Sequence, residues 1–223
     1  MPKTLIFDVN ETLLNLAALD PFFKAQFGDA RVRVSWFRQV LECALVSEVI
    51  FEPTSFAVLG GAALEMQAQT HGVKLEENAK MTLGKLMRSL PPHPEVPAAL
   101  EKLKNHGFQM VALSNNSLET LEIQFSFANI RQYFEVILSV ESSQHLKPHR
   151  AVYEYASKTL SKTPSDLWMI AAHDWDLRGA RAVGLKTAFV AREGLAWNPI
   201  SQRPDIWGQD LLETADQLIK LEF

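Results

Sequence analysis

Residues 4–13, TLIFDVNETL, restrict the possible folds of this chain more than any other stretch. Their β-branched and aromatic run predicts a buried strand. The strand delivers Asp8 to its C-terminal end, and Thr12 follows one turn later. Because ligands bind at the C-terminal edge of the strands in open α/β sheets, an acid at this point is a candidate nucleophile.

Residues 15–90 have a different pattern, with the apolar spacing of helices, as in Trp36, Val40 and Ala44. Helix breaks are predicted at Gly28-Asp29, at Glu52-Pro53-Thr54 and at Thr70-His71-Gly72. Roughly four helices therefore fit into this block, and they are expected to form a small bundle.

A proline cluster at 91–94 marks the next boundary, and helical and strand patterns alternate beyond it. The predicted order is a helix over 95–106, a strand in 108–116, a helix from Ser117, a strand in 134–141, a helix from 148, a strand in 167–176, a helix containing 178–184, a strand in 186–192 and a tail helix over 210–221. This alternation is typical of a parallel sheet. We predict an α/β core of residues 1–14 and 91–223, interrupted by a helical domain of residues 15–90.

The composition favours small-molecule partners. The formal net charge is −4, and Lys and Arg are scattered, so no basic surface for nucleic acid or an anionic membrane is predicted. The sequence shows no leader pattern, and its apolar runs are shorter than the ~18 residues of a membrane span. A cytoplasmic protein is therefore expected. The single cysteine, Cys43, excludes an internal disulfide and is expected to pack in the core.

Polar residues follow four of the predicted strands, at or a few residues beyond each C-terminal end. They are Asp8 with Thr12, Ser114 with Asn115, Lys147, and His173 with Asp174 and Asp176. Taken singly, each is explained by helix capping or by a solvated surface side chain. Together they converge on one edge of one sheet, which is the arrangement that a catalytic site requires.

In these residues the chain resembles the haloacid dehalogenase superfamily. Members carry a nucleophilic Asp in a DxxxT motif, matched here by Asp8 and Thr12, followed by a Ser or Thr, a Lys and an acidic loop. The resemblance covers nearly the whole chain. It implies a Rossmann-like core with a parallel sheet and a helical cap inserted directly after the first motif.

Most members of that superfamily are phosphatases, and this chain departs from their pattern. They usually have a second Asp two residues after the nucleophile as general acid, whereas this chain has Asn10, and an amide does not deliver a proton. Their GDxxxD-type loop helps to hold Mg²⁺, but here the first acid of that loop is replaced by Ala172. We therefore predict that the chain needs no metal and no other cofactor.

Four segments resemble the type II L-2-haloacid dehalogenases in particular: FDVNETL, SNN, LKPHRAVY with Tyr153, and AAHDWD with Trp175. The resemblance implies hydrolysis of short 2-haloalkanoic acids through an aspartyl ester, which yields a 2-hydroxyacid of inverted configuration and halide. The alternatives are a Mg²⁺-dependent phosphatase of the same superfamily and a catalytically impaired relative.

The resemblance also implies a role for each candidate residue. Asp8 is the expected nucleophile, Lys147 keeps it ionised, Thr12 and Asp176 orient the pair, and Asp176 or His173 activates water. Ser114 is expected to hold the substrate carboxylate, and Asn10, Asn115, Tyr153 and Trp175 are expected to contact the substrate.

The sequence does not identify the group that receives the leaving halide. The family commonly uses an Arg just after a Trp in the cap, and alignment on Leu41-Glu42 places Phe37 at that position. Either Arg38 substitutes, or an aromatic edge with donors such as Asn115 takes the halide, or the substrate differs. Phe56 is expected to complete an apolar wall of the pocket.

The family resemblance makes a homodimer possible.

Overall fold

The computed structural model describes residues 3–52 and 54–222 as an α/β fold around one parallel sheet. Its strands are β1 (Thr4–Phe7), β2 (Gln109–Ser114), β3 (Val136–Ser139), β4 (Leu167–Ala171), β5 (Lys186–Val190) and β6 (Ile206–Gly208). They lie in the order β3-β2-β1-β4-β5-β6, and every neighbouring pair is parallel. The chain builds the sheet outward from β1, first to one side and then to the other, so β1 lies at the topological switch point.

The predicted α/β fold class is confirmed, with one addition. The strand and helix segments expected beyond residue 91 are all present, whereas β6 was not predicted. The strand has three residues and follows a polar loop, so it carries no apolar run that periodicity could detect. Its pairing with β5 places it at the edge of the sheet.

Helices cover both faces of the sheet. Those that follow the proline cluster are α5 (Val96–Asn105), α6 (Leu118–Phe127), α7 (Arg150–Thr159), α8 (Asp174–Ala182) and α9 (Leu211–Glu222). One apolar cluster, which includes Val152 and Leu177, packs on one face of the sheet. The other face shares a continuous cluster with α5, α9 and the helices of residues 15–90. The sheet is therefore buried on both sides, as parallel sheets require.

Within residues 15–90 the structure has four α-helices among the described residues, at or near the predicted breaks. They are α1 (Asp20–Phe27), α2 (Val32–Val49), α3 (Phe56–His71) and α4 (Ala79–Arg88). Gly28 and Gly72 end α1 and α3 in the left-handed conformation, and the Ser55 hydroxyl caps the start of α3. Pro53 of the middle break lies outside the described residues.

The two chain segments that connect residues 15–90 to the sheet run side by side. Asn15 N–H donates to the Pro91 carbonyl at 2.8 Å, and His93 N–H donates to the Leu13 carbonyl at 3.0 Å. The block also packs against the core, because α4 contacts α6. The division into domains 1–14 with 91–223 and 15–90 stays a prediction. Residues 1, 2 and 223 of that division lie outside the described chain.

Cys43 is half-buried on α2 and packs against the apolar cluster, with its thiol free. None of the described helices combines the length and the hydropathy that a bilayer crossing needs.

Candidate active site

Asp8 directly follows β1, between the ends of β2 and β4. Its N–H continues the sheet ladder by donating to the Ile170 carbonyl at 3.0 Å. Since β1 is at the switch point, side chains from both neighbouring strand ends reach the same space. Asp8 therefore lies where a doubly wound sheet places its ligands.

Lys147 joins Asp8 to Asp176 by two buried ion pairs. Its Nζ lies 3.1 Å from Asp8 Oδ1 and 2.8 Å from Asp176 Oδ2. The side chains of Lys147 and Asp176 are 1% and 0% exposed, so neither pair is screened by water. One ammonium thus balances two carboxylates, and the group carries one net negative charge.

Thr12 holds the other oxygen of Asp8. Its hydroxyl donates to Asp8 Oδ2 at 2.6 Å and accepts the Ala172 N–H at 2.9 Å. Both carboxylate oxygens of Asp8 therefore have a donor, which restricts the side chain to one orientation.

Electrostatics keep Lys147 charged. Burial disfavours its ammonium, but the charges of Asp176 and Asp8 and their hydrogen bonds outweigh that effect and raise the pKa of Lys147 above its usual 10.5. The segment that carries Lys147 is held in place from the β2 end, because Lys147 N–H donates to Asn115 Oδ1 at 2.9 Å.

A small cavity of about 20 Å³ opens in front of Asp8. It is lined by Asp8, Asn10, Phe37, Leu41, Phe56, Ser114, Asn115, Lys147, His173 and Trp175. This volume is enough for about one water molecule. Most of the residues predicted to touch substrate thus line one space, and Leu41 is an additional wall residue.

Three buried polar atoms of these residues have no hydrogen-bond partner among the described residues: Asn10 Oδ1, His173 Nε2 and Trp175 Nε1. Buried polar groups are normally paired with protein or water. The cavity therefore has polar groups that a ligand or water is expected to satisfy.

Comparison with known proteins identifies the family. A family model of haloacid dehalogenase-like hydrolases matches residues 2–184. The chain belongs to this family. The fold expected from the resemblance is therefore shown, and the chain is a hydrolase.

The matches to curated relatives cover nearly the whole length of the chain. It is 28% identical to (S)-2-haloacid dehalogenase H-109 of Pseudomonas putida, over 96% of this chain and 97% of that protein. It is 27% identical to haloacetate dehalogenase H-2 of Moraxella sp. (strain B), over 91% of this chain and 92% of that protein. The solved structure of L-2-haloacid dehalogenase from Xanthobacter autotrophicus shares the fold, with a TM-score of 0.90, 20% identity and 98% coverage of both chains.

In this haloacid dehalogenase-like hydrolase, Tyr153 does not line the cavity, and its contact with the substrate stays a prediction. Tyr153 is fully buried, and its hydroxyl donates to Asp176 Oδ1 at 2.6 Å and to the Asp176 carbonyl at 3.0 Å. Gly179 permits this approach, because a Cβ there would lie 2.7 Å from the tyrosine ring. Burial and then Asp176 raise the pKa of Tyr153 well above 10, so it remains a donor that positions Asp176.

We expect Tyr153→Phe to lower kcat more than it changes KM, because the substitution leaves Asp176 Oδ1 without its hydroxyl donor but does not touch the cavity. The free energy of unfolding is expected to fall by about 1–3 kcal/mol. Urea unfolding and steady-state kinetics measure both effects. Tyr155→Phe, on the same helix, is the matched control. A change in KM alone would instead support the predicted contact between Tyr153 and the substrate.

Arg38 lies on the outer side of α2. It is exposed and is absent from the cavity lining, whereas Phe37 lines the cavity. Successive residues of a helix point about 100° apart, so an inward Phe37 directs its neighbour outward. Arg38 therefore does not reach the cavity in this conformation, and its role as a halide ligand stays a prediction. Phe37 and Phe56 form an aromatic wall, with 6.4 Å between their ring centroids.

Glu11 is a polar neighbour of the site that sequence reasoning missed. Its carboxylate Oε2 lies 3.3 Å from His173 Nε2, and its backbone is left-handed with φ 63°. The family pattern drew attention to Asp8 and Thr12, and no sequence signal marks a turn residue between them as facing the site.

The residues near Asp8 do not provide a carboxylate cage for Mg²⁺. Asn10 and Ala172 replace two of the expected acids, and Lys147 Nζ lies between the two that remain, Asp8 and Asp176. Since a hard cation requires several oxygen ligands, this donor set does not fit it. Metal independence stays a prediction.

Elsewhere in the described chain, Glu48, His145 and His149 lie close enough together to suggest metal ligands. Their geometry fits a hydrogen-bonded link better. Glu48 accepts from Leu146 N–H at 2.8 Å, and His145 Nδ1 lies 2.5 Å from its carboxylate. The histidine rings stack at 3.9 Å with 10° between their planes instead of converging on one point.

Proposed function

We propose that this hydrolase is a metal-independent dehalogenase of short 2-haloalkanoic acids, which acts through an ester on Asp8 and gives a 2-hydroxyacid of inverted configuration plus halide. The observation that carries the proposal is the buried Lys147 ammonium in contact with both Asp8 and Asp176. It supplies the positive charge beside the nucleophile that a metal supplies in related chemistry. The names of the curated relatives support the same activity.

In the first step, a carboxylate oxygen of Asp8 attacks C2 of the substrate from the side opposite the halogen. The new C–O bond forms as the carbon–halogen bond breaks, and the halide leaves with the electron pair. Halide needs no proton to leave, so Asn10 at the position of the usual general acid is compatible with this step. Lys147 and Thr12 each hold one oxygen of Asp8 and keep its side chain oriented.

Ser114 and the start of α6 are the expected site for the substrate carboxylate. Ser114 lines the cavity, and α6 begins a few residues later with Ser117 as its cap. Free N–H groups and the helix dipole favour an anion at that end. A singly charged acid needs fewer donors than a phosphate, which suits the limited set of cations at this site.

In the second step, water attacks the carbonyl carbon of the Asp8 ester and its proton passes to His173 or Asp176. The bond between that carbon and the oxygen now attached to C2 then breaks, and this oxygen takes the proton back from the base. Asp8 loses its remaining proton to solvent, which restores the carboxylate and releases the hydroxyacid. C2 is inverted once, in the first step, so the product has the opposite configuration.

The cavity in front of Asp8 is smaller than a haloacid. A space of about 20 Å³ does not hold a haloacid until a wall side chain moves. A cleft of about 1360 Å³ between α2, α3, α4 and the core shares Phe56 and Asn115 with it. Rotation of Phe56 therefore gives a route from the cleft to Asp8.

The test is halide release from chloro-, bromo- and fluoro-acids with EDTA present. We expect release at the same rate with and without EDTA, and no hydrolysis of p-nitrophenyl phosphate with Mg²⁺. Loss of activity in EDTA together with phosphate release would establish the phosphatase alternative. Absence of both activities would overturn the proposed function. The homodimer and the cytoplasmic location stay predictions.

A further inference from the structure

The C-terminal end of α2 lies against the segment that carries Lys147. Glu48 is the last residue but one of this helix, and its side chain is 14% exposed. Its Oε2 accepts the Leu146 N–H at 2.8 Å, and its Oε1 lies 2.5 Å from His145 Nδ1. Both carboxylate oxygens therefore have a donor, on residues 97 and 98 positions along the chain from Glu48.

Leu146 directly precedes Lys147, and hydrogen bonds hold the peptide groups of both residues. The Leu146 N–H is bound by Glu48, and the Leu146 carbonyl accepts the His149 N–H at 2.9 Å. The Lys147 N–H donates to Asn115 Oδ1 at 2.9 Å. Glu48 is the partner that residues 15–90 contribute, whereas the other two belong to the sheet side of the molecule.

The position of this backbone decides where the Lys147 ammonium lies. Its Nζ contacts Asp8 and Asp176 at 3.1 and 2.8 Å, and the side chain is 1% exposed. A displacement of about 1 Å near reacting groups costs about 10²-fold in rate. A shift of the Leu146 peptide would therefore be expected to weaken the contact between Lys147 and the nucleophile.

Glu48 reaches this segment because α2 packs along the site. Phe37 and Leu41 of the same helix line the cavity. Glu48 follows Leu41 by seven residues, which is two turns and about 10 Å along the helix axis. Positions at this spacing share one face of a helix. The face of α2 that lines the cavity therefore ends at the carboxylate that binds Leu146.

We propose that Glu48 is a positioning residue for Lys147. The inference rests on the proposed function. The carboxylate of Glu48 holds the Leu146 peptide group, and this bond keeps the Lys147 ammonium in contact with Asp8 while the ester forms. The nucleophile and its cation come from the α/β core, so through Glu48 the helices of residues 15–90 act on the first chemical step as well as on the walls of the cavity.

Two histidine rings restrict the Glu48 side chain to the orientation that binds Leu146. His145 presents Nδ1 to the carboxylate, so that nitrogen carries the proton. His149 stacks on His145 at 3.9 Å, and its Nε2 lies 4.0 Å from Glu48 Oε1. Its Nδ1 accepts the Ala151 N–H at 3.2 Å, which fixes this ring at the start of α7.

The test is the rate of Asp8 ester formation in a single turnover of 2-chloropropanoate, followed by intact-protein mass spectrometry. Glu48→Ala removes both contacts of the carboxylate and is expected to slow ester formation by about 10- to 100-fold. The same loss is expected in kcat, with little change in KM, because Ser114 and the start of α6 are not altered.

Two variants keep the bond to Leu146 and are expected to keep the rate. Glu48→Gln retains an oxygen that accepts the Leu146 N–H, and His145→Ala removes only the imidazole partner. Both are expected to form the ester within about threefold of the wild-type rate. A purely structural role would lower the free energy of unfolding in Glu48→Ala and His145→Ala, measured in urea, without slowing ester formation in the folded protein.

Hydrogen exchange of the Leu146 amide adds a measurement that needs no substrate. Exchange is expected to be faster in Glu48→Ala than in the wild type and to stay slow in Glu48→Gln and His145→Ala. If Glu48→Ala does not fold by circular dichroism, Glu48→Asp takes its place, because the shorter side chain withdraws the carboxylate from Leu146 but keeps its charge. Glu42→Ala, exposed on α2, is the matched control and is expected to behave as the wild type.

Ester formation at the wild-type rate in Glu48→Ala would overturn the inference, and so would an equal defect in His145→Ala or unchanged exchange at Leu146. Failure of the proposed function gives a different result. The wild type itself then forms no ester and releases no halide, while the exchange of the Leu146 amide still responds to Glu48→Ala.

Discussion

Replacement of Asp8 by Asn is expected to abolish halide release, with a loss of at least about 10⁴-fold in kcat, as for the removal of other covalent nucleophiles. An amide has nearly the same size but is a poor nucleophile, so the cavity persists while the ester no longer forms. Lys147 retains Asp176 as its partner at 2.8 Å, and the fold is expected to survive. Halide release and circular dichroism measure the two outcomes.

Asp174→Asn is the matched control, because Asp174 begins the helix that carries Asp176 but is absent from the cavity lining. Its activity is expected to remain near that of the wild type. A single turnover of the wild type in H₂¹⁸O is expected to place the label in Asp8 before it reaches the product. Wild-type rates in Asp8→Asn, or label that enters the product directly, would rule out the ester mechanism.

Replacement of Lys147 by Met is expected to abolish activity and to lower the free energy of unfolding by about 3–5 kcal/mol near neutral pH. The substitution removes the one ammonium that contacts two buried carboxylates. Asp176 is fully buried, and Asp8 is 6% exposed, so water does not replace the lost charge. Urea unfolding and halide release measure both losses.

The stability loss of Lys147→Met is expected to depend on pH. Burial raises the pKa of Asp176, and without Lys147 the main opposing charge is gone. A carboxyl whose folded-state pKa exceeds its unfolded value is most favourable below the unfolded pKa of about 4, and stability falls as pH rises through the folded-state pKa. The variant is therefore expected to be more stable at about pH 5 than at about pH 8.

Two variants separate charge from structure in this prediction. Lys147→Met with Asp176→Asn removes one uncompensated carboxylate and is expected to regain stability but no activity, because Asp8 still lacks its cation. Lys158→Met, on the exposed side of α7, is expected to stay within about 0.5 kcal/mol of the wild type. A stable and active Lys147→Met would contradict the proposed charge balance.

The strands and helices were predictable because their signals are local. An apolar run followed by a polar residue marks β1 and β4 in the sequence, and apolar spacing marks α2. The strand β6 has no such signal, since its three residues depend on β5 for pairing. A local pattern does not report a strand that exists only through its neighbour.

The site was predictable in part, for the same reason. Asp8, Lys147 and Asp176 follow strands, and the order of a parallel sheet brings strand ends to one edge. The position of Tyr153 beside Asp176 was not predicted, because the sequence does not tell which side of α7 approaches α8, an approach that Gly179 permits.

The sequence by itself determines which types of side chain lie near Asp8. Those side-chain types set which reactions the site can perform. The pairing of those side chains was decided by the folded molecule. Lys147 meets Asp176 across 29 positions of sequence, and Glu11 faces His173 through a left-handed turn. Such contacts depend on distances and backbone angles that long-range packing sets, so no stretch of sequence contains them.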